Sequence, residues 1–108
     1  MPRYLITANY SAEGARALMA GGGSARRTAV EKMVAGLGGR METLDFAFGG
    51  EDVYTIVEMP DNVTAAAVAL TVSGSGSVQA RTIVLLTPEE IDRAAELSPE
   101  YAAPGTTG

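Results

Sequence analysis

The segment whose residue types are best suited to chemistry begins with a run of three glycines. The residues are Gly22, Gly23, Ser24, Arg26 and Arg27, with one further glycine before them. A glycine loop that leads into a helix exposes backbone N–H groups beside the positive end of the helix dipole, and two guanidinium groups add charge. The segment therefore predicts a site for a carboxylate or a phosphate. Its spacing differs from that of a P-loop and from that of a dinucleotide-binding turn.

The alternative interpretation of this segment is purely structural. The glycines then only break a helix, Ser24 caps the second helical piece, and the arginines are solvated. Arg27 is also placed to pair with Glu31, one helical turn later. Both interpretations stay open at this point.

A second group of polar residues lies on predicted strands: Thr7, Asn9, Tyr54, Glu58 and Arg81. If the strands bring them together, Asn9 and Arg81 join the predicted ligand-binding residues, and Tyr54 and Glu58 are the candidate catalytic acid or base. The structural alternative is that Glu58 and Arg81 form a cross-strand ion pair while Tyr54 packs in an interface.

The absence of cysteine and histidine excludes several classes of chemistry. Disulfides, thiolate catalysis, Ser-His catalysis and the usual zinc sites all require one of these residues. A loose acidic set remains, formed by Asp45, Glu51, Asp52 and Asp61, and its members are best explained as turn and helix-cap residues. We therefore predict no metal site and no cofactor.

The net charge of −5 is unevenly distributed over the 108 residues. Residues 11–40 carry a local charge of +3, whereas residues 88–108 carry −4. An acidic chain is poorly suited to neutralising phosphates, so we expect no binding to nucleic acid. The apolar runs are too short to cross a bilayer and no signal peptide is visible, so we expect a cytoplasmic protein without membrane contact.

Alternating apolar residues predict four strands. The first covers residues 4–10, the second and third form a hairpin over residues 41–61 with its turn at Gly49-Gly50, and the fourth covers residues 78–86. The hairpin is the most informative part of the pattern because a helical segment and a further strand lie on each side of it.

Helical spacing fills the intervals between the strands. Ser11 is a predicted N-cap, the glycine run breaks the first helix, and Gly38-Gly39 ends its second piece. A later helix is capped by Asp61, and a C-terminal helix begins at Thr87. The predicted apolar faces are Val30, Met33, Val34 and Leu37 in the second piece, Val63, Ala66, Ala67 and Leu70 in the next helix, and Ile91, Ala94, Ala95 and Leu97 in the last.

The order β-α-β-β-α-β predicts an α+β, ferredoxin-like fold with an antiparallel sheet and an extra C-terminal helix. We expect one domain over residues 1–97 and an irregular tail over residues 98–108. Both main helices then lie on one face of the sheet, yet the other face is not cleanly polar, since Leu5, Ile56 and Leu85 lie on it. A second copy of the chain would cover this face; the alternative is that the C-terminal helix folds over it.

Several short motifs together resemble the GYD domain family, a group of small ferredoxin-like proteins of the dimeric α/β-barrel type. They are residues 10–14, 22–27, 30–32, 37–39, 57–61 and 87–90. The resemblance covers nearly the whole chain and implies self-association. One position departs from the family pattern, because Glu51 stands in Gly50-Glu51-Asp52 where the resemblance implies a tyrosine. The family is of uncharacterised function, so the resemblance implies no reaction.

These observations lead to three functional hypotheses. The first is a homo-oligomer, at least a dimer, that binds a small anionic metabolite in a binding or regulatory role. The second is a cofactor-independent oxygenase or isomerase, which rests on analogy with other dimeric α/β barrels. The third is a purely structural self-association module.

Overall fold

The structure is a computed structural model that describes residues 1–105, and it consists of four strands and four helices. They are β1 (Arg3–Tyr10), α1 (Ala12–Gly21), α2 (Gly23–Gly36), β2 (Arg40–Phe46), β3 (Val53–Glu58), α3 (Asn62–Gly74), β4 (Val78–Leu85) and α4 (Pro88–Leu97). The part of the predicted tail at residues 106–108 lies outside the described residues, and residues 98–105 follow α4 without a further helix or strand.

The strands form one antiparallel sheet in the order β2-β3-β1-β4. This order, with the hairpin strand β3 beside β1 and β4 on its other side, confirms the ferredoxin-like α+β prediction. The hairpin between β2 and β3 is confirmed, and β2 carries a bulge between Met41 and Thr43. There the Thr55 hydroxyl donates a 2.6 Å hydrogen bond to the Thr43 carbonyl oxygen.

The core lies between one face of the sheet and the helices α2 and α3. Its centre is formed by fully or nearly fully buried residues on four elements: Tyr4, Ile6, Val34, Val57, Met59, Ala65 and Val68. The Tyr4 hydroxyl lies in this layer and donates a 2.5 Å hydrogen bond to Asn62 Oδ1 at the start of α3. Both main helices therefore cover the same face of the sheet, and the side chains of Leu5 and Ile56 belong to the other face.

Local signals set the helix ends largely as predicted. Ser11 caps α1 through a hydrogen bond from Gly14 N, while Asp61 and Thr87 each form a capping box, with Thr64 and Glu90 respectively. The glycine run does break the helix, because Gly22 has φ +89° between α1 and α2. Such a conformation strains any residue with a Cβ atom.

Two predictions about this layer were wrong. Ser24 lies inside α2 and does not cap it, since the cap position is Gly22 and no side chain makes the cap hydrogen bond. The buried face of α3 is formed by Ala65 and Val68, whereas Val63 and Leu70 are 76% and 74% exposed. Small and apolar residues occupy almost every position of α3, so helical spacing does not distinguish one face from another.

No residue of the C-terminal helix α4 is buried within the described residues 1–105. All ten of its residues are exposed or half-buried, and Ile91 and Leu97 remain 52% and 81% exposed. The predicted burial of its apolar side is therefore wrong for the single chain, and so is the alternative in which α4 folds over the open sheet face. The principal extents of 59 × 31 × 23 Å reflect this projecting helix. No helix in residues 1–105 combines the length and hydropathy needed to cross a bilayer.

Candidate functional site

A cleft opens between the helices on the covered side of the sheet. It forms because α2 packs mainly on β2 and α3 packs mainly on β4, so that the two helices diverge above the middle of the sheet. Its volume is about 560 Å³. The residues that line it belong to α1, α2, α3 and the strand ends beside them: Tyr10, Gly14, Ala17, Leu18, Gly21, Gly22, Ala25, Arg26, Ala29, Val30, Met33, Thr71, Val72, Ser75, Ser77 and Val78. This volume lies in the range of known small-molecule sites.

Small residues on α1 and α2 keep the cleft open. Ala17 and Gly21 are four residues apart on α1, and Ala25 and Ala29 are four residues apart on α2, so each pair lies on one face of its own helix. Leu18 and Met33 from the same helices add larger apolar groups to the lining. The wall is therefore apolar without filling the space between the helices.

The start of α1 makes a tight contact with Ser77, the residue just before β4, and both Gly14 and Ser77 line the cleft. Gly14 lies so close to the Ser77 carbonyl oxygen that an added Cβ atom would approach it to less than 3.0 Å. The same oxygen accepts a 3.0 Å hydrogen bond from Ser11 N. Glycine at position 14 is thus required for α1 to begin at this distance from the sheet.

Arg26 is the one charged residue that lines this cleft within the described chain. It is half-buried and has no ion pair among residues 1–105. Several other arginines have a carboxylate partner: Arg3 with Glu42 at 2.7 Å, Arg27 with Glu31 at 3.8 Å, Arg81 with Glu51 at 3.5 Å, and Arg40 with Glu58. A half-buried guanidinium beside apolar surface is suited to binding an anion, because no carboxylate among the described residues occupies its five N–H donors.

A second cavity of about 40 Å³ lies beneath the cleft, against the sheet. Arg26, Met33 and Val72 line both spaces, and the lower one extends to Ile6 and Thr55 on the central strands. The interior of the helix layer is therefore loosely filled from the cleft down to the sheet.

The glycine loop is divided between two places. Gly22 and Arg26 line the cleft, whereas Gly23, Ser24 and Arg27 line a separate surface pocket of about 250 Å³. A Cβ atom at Gly23 would lie 3.1 Å from the ring of Phe46, which also lines that pocket. The predicted loop residues thus do not surround a single bound group.

The other predicted ligand residues, Asn9 and Arg81, lie on the opposite face of the sheet. Both contact the carboxylate of Glu51, which accepts a hydrogen bond from Asn9 Nδ2 and lies 3.5 Å from a guanidinium nitrogen of Arg81. The strand register places Thr7 directly between Tyr54 and Arg81 on this face. A polar cluster therefore exists here, but the sheet separates it from the cleft.

Tyr54 and Glu58 do not form a joint acid–base pair. They lie four residues apart on β3, on the order of 13 Å along the strand. The Glu58 carboxylate is engaged by Arg40, and Tyr54 is 40% exposed. The alternative of a Glu58–Arg81 ion pair was wrong, because β1 separates β3 from β4 and the two side chains pair with Arg40 and Glu51 instead.

The side chains with shifted pKa values lie outside the cleft lining. The Arg3 guanidinium lowers the pKa of Glu42 through a hydrogen bond, and Glu42 raises the pKa of Arg3 in return. Hydrogen bonds from Thr64 lower the pKa of Asp61, and the Thr87 backbone N–H lowers that of Glu90. Within residues 1–105, no three acidic side chains lie close enough together to hold a metal ion.

The family model for the GYD domain matches residues 4–95. The chain belongs to the GYD domain family. The match extends from the second residue of β1 into α4 and so includes the whole sheet and the cleft of this GYD domain. No match to the chain was found among curated proteins or among solved structures.

Sequence reasoning missed the apolar lining that α1 and α3 contribute to the cleft. The available signal was the small residues spaced four apart, Ala17 and Gly21 in α1 and Ala25 and Ala29 in α2. Such spacing indicates helix faces without bulky side chains. Nothing in the sequence indicated that Leu18 and Val72 would lie across the same space, because that depends on the angle between α2 and α3.

Proposed function

We propose that this GYD domain acts as a homo-oligomer that binds a small anionic ligand in the cleft between α1, α2 and α3. The observation that carries the binding role is Arg26, an unpaired and half-buried cation in the wall of an apolar cleft of about 560 Å³. A guanidinium in such surroundings gains a charge-assisted hydrogen bond when an anion enters.

The exposed surface of the single chain supports self-association. A folded monomer of 11.1 kDa exposes about 5,700 Å² on average, whereas this chain exposes 7250 Å². The radius of gyration is 17.5 Å, compared with about 13 Å for a compact domain of this length. An excess of roughly 1,600 Å² is comparable with the total surface that a stable protein–protein interface buries.

Two uncovered apolar surfaces are the regions that self-association would bury. On the outer face of the sheet, Leu5 is paired in register with Ile56 on one side and Ile83 on the other, and Ile83 is 49% exposed. The second surface is α4, which has only ten residues and buries none of them against the rest of residues 1–105. Isolated helices of this length are marginal in water. A second copy would bury both surfaces.

Ile56→Asp tests the self-association through the sheet. A charge at the centre of the outer face would be desolvated in the interface, so we expect a monomer or an insoluble chain where the parent is an oligomer. Val63→Asp is the matched control, because Val63 is 76% exposed on α3, away from this face. Size-exclusion chromatography with light scattering distinguishes the outcomes. A monomeric parent, or an Ile56→Asp oligomer like the parent, would refute this interface.

Arg26→Ala tests the anion site. We expect acetate or inorganic phosphate to raise the melting temperature of the parent and to leave that of Arg26→Ala unchanged, because ligand that binds only the folded state stabilises it. Arg27→Ala is the control, since Arg27 lines the separate pocket and faces Glu31. Equal shifts in parent and Arg26→Ala would place anion binding elsewhere, and no shift in the parent would remove it.

A further inference from the structure

We infer that the ligand of the cleft is an amphipathic monocarboxylate, with its carboxylate on Arg26 and an apolar body along the wall formed by α1 and α2. This inference rests on the proposed anion site and adds the chemical class of the ligand. It follows from three properties of the cleft: its volume, the state of its polar groups and its single charge.

The volume far exceeds that of an anion alone. A carboxylate or phosphate group would leave most of the 560 Å³ unfilled. The remaining wall is formed mainly by side chains such as Leu18, Val30, Met33 and Val72. Apolar surface of this kind gains free energy when it is removed from water, so the part of the ligand beyond the carboxylate is apolar.

Two polar groups of the cleft lining, the Ser75 hydroxyl and the Ser77 carbonyl oxygen, are already engaged within the protein. The Ser75 hydroxyl donates a 2.7 Å hydrogen bond to the Val72 carbonyl oxygen and accepts one from Ser77 N. The Ser77 carbonyl oxygen accepts the hydrogen bond from Ser11 N. Besides Arg26, the lining offers few other polar side-chain groups, chiefly the hydroxyls of Tyr10, Thr71 and Ser77, so most polar groups of a sugar or peptide would be left unsatisfied, which a hydrocarbon body avoids.

The charge balance selects a ligand with one negative charge. Arg26 is the single cation in the lining described above, and the chain as a whole carries −5. A nucleotide or another polyphosphate would bring several charges to one guanidinium, and like charges elsewhere on the protein would oppose it. One carboxylate matches one guanidinium, with bidentate geometry available.

Calorimetric titration of the purified protein with acetate, hexanoate, octanoate and decanoate tests the inference. Each methylene buried in the cleft should tighten binding by roughly fourfold until the cleft is full. The heat-capacity change should become more negative along the series, which marks burial of apolar surface. Octan-1-ol, which has the same body without the charge, should bind at least tenfold more weakly than octanoate.

Two pairs of variants locate the site. Arg26→Met should abolish the preference for octanoate over octan-1-ol, while Arg27→Met should preserve it. Ala29→Leu should fill part of the cleft and weaken decanoate binding by at least tenfold, while Ala35→Leu on the same helix should not, because Ala35 lies outside the cleft lining. Leucine is a good helix former, so neither leucine variant should unfold α2.

The possible results separate this inference from the proposed function. Binding of acetate that depends on Arg26 but does not tighten with chain length would retain the anion site and overturn the amphipathic ligand. Chain-length dependence that survives both Arg26→Met and Ala29→Leu would overturn the placement in the cleft. Absence of binding by every carboxylate and by phosphate would overturn the anion site itself.

Discussion

Gly14→Ala is the most direct test of how the fold shapes the cleft. Gly14 is buried at the start of α1, where an added Cβ atom would meet the Ser77 carbonyl oxygen. That oxygen belongs to the backbone at the start of β4, so it cannot turn aside as a side chain would. The methyl group therefore forces α1 away from the sheet and strains the 3.0 Å hydrogen bond from Ser11 N to Ser77.

The expected size of the effect follows from two opposing contributions. Overpacking of a close contact costs about 1–3 kcal/mol, and replacing glycine by alanine in a helix gains about 0.5–1 kcal/mol. Because the contact is with backbone, we expect a net loss near 2 kcal/mol for Gly14→Ala. The control is Gly36→Ala at the end of α2, where an added Cβ meets nothing within 4 Å. It should gain up to about 1 kcal/mol.

Urea unfolding of both variants and the parent measures this difference. Each should be studied at several protein concentrations, because self-association would make the midpoint depend on concentration. A difference of about 3 kcal/mol between the two variants is expected. If Gly14→Ala were as stable as Gly36→Ala, the close approach of α1 to β4 would not constrain the fold, and the shape of the cleft would have another cause.

Three further predictions concern stability. Tyr4→Phe removes the buried hydrogen bond to Asn62 and should cost about 1 kcal/mol in urea unfolding, whereas a Tyr4→Phe variant as stable as the parent would contradict its role. Gly39→Ala should destabilise by about 1–3 kcal/mol, because its Cβ would lie 2.5 Å from the Glu58 carbonyl oxygen; an unchanged unfolding midpoint would contradict this. The lowered pKa values of Asp61 and Glu90 stabilise the fold above their ordinary values of 3.8 and 4.5, and this stability is lost as the pH falls through the lowered values. Thermal unfolding of Asp61→Asn should therefore depend less steeply on pH below about 4 than that of the parent.

The sheet and the helix ends could be predicted from sequence because each has a local cause. Two-residue alternation around Gly49-Gly50 specifies a hairpin, and the side chains at Ser11, Asp61 and Thr87 cap helices through residues three positions away. With right-handed crossover connections, the order of these elements predicts the ferredoxin-like arrangement.

The cleft could not be predicted because it depends on relations between distant elements. Arg26 was identified from its place after a glycine run, but its difference from Arg27 arises from burial and from the proximity of Glu31. The orientation of α3 was missed because its composition is uniformly small and apolar. Asn9 was predicted in a second polar group on the strands, and strand alternation assigns that residue to the opposite face of the sheet from Tyr10, which lines the cleft.

The failure of the predicted burial of α4 has a different cause. Helical spacing correctly indicated an amphipathic helix, with Ile91 on its apolar side, and the capping box at Thr87 formed as expected. Spacing shows that a face requires a partner, but it contains no information on which chain supplies that partner. The burial of α4 was therefore wrong for the single chain, whereas the helix itself was correctly predicted.

The break between α1 and α2 is a hinge in the wall of the cleft. Gly22 alone separates the two helices, and its positive φ sets the angle at which α1 meets α2. Rotation about the two dihedral angles of this residue would widen or narrow the space beneath, while the strand register and the Tyr4–Asn62 hydrogen bond stay unchanged. The conformation of one backbone position, Gly22, therefore controls the width of the cleft independently of the sheet below it.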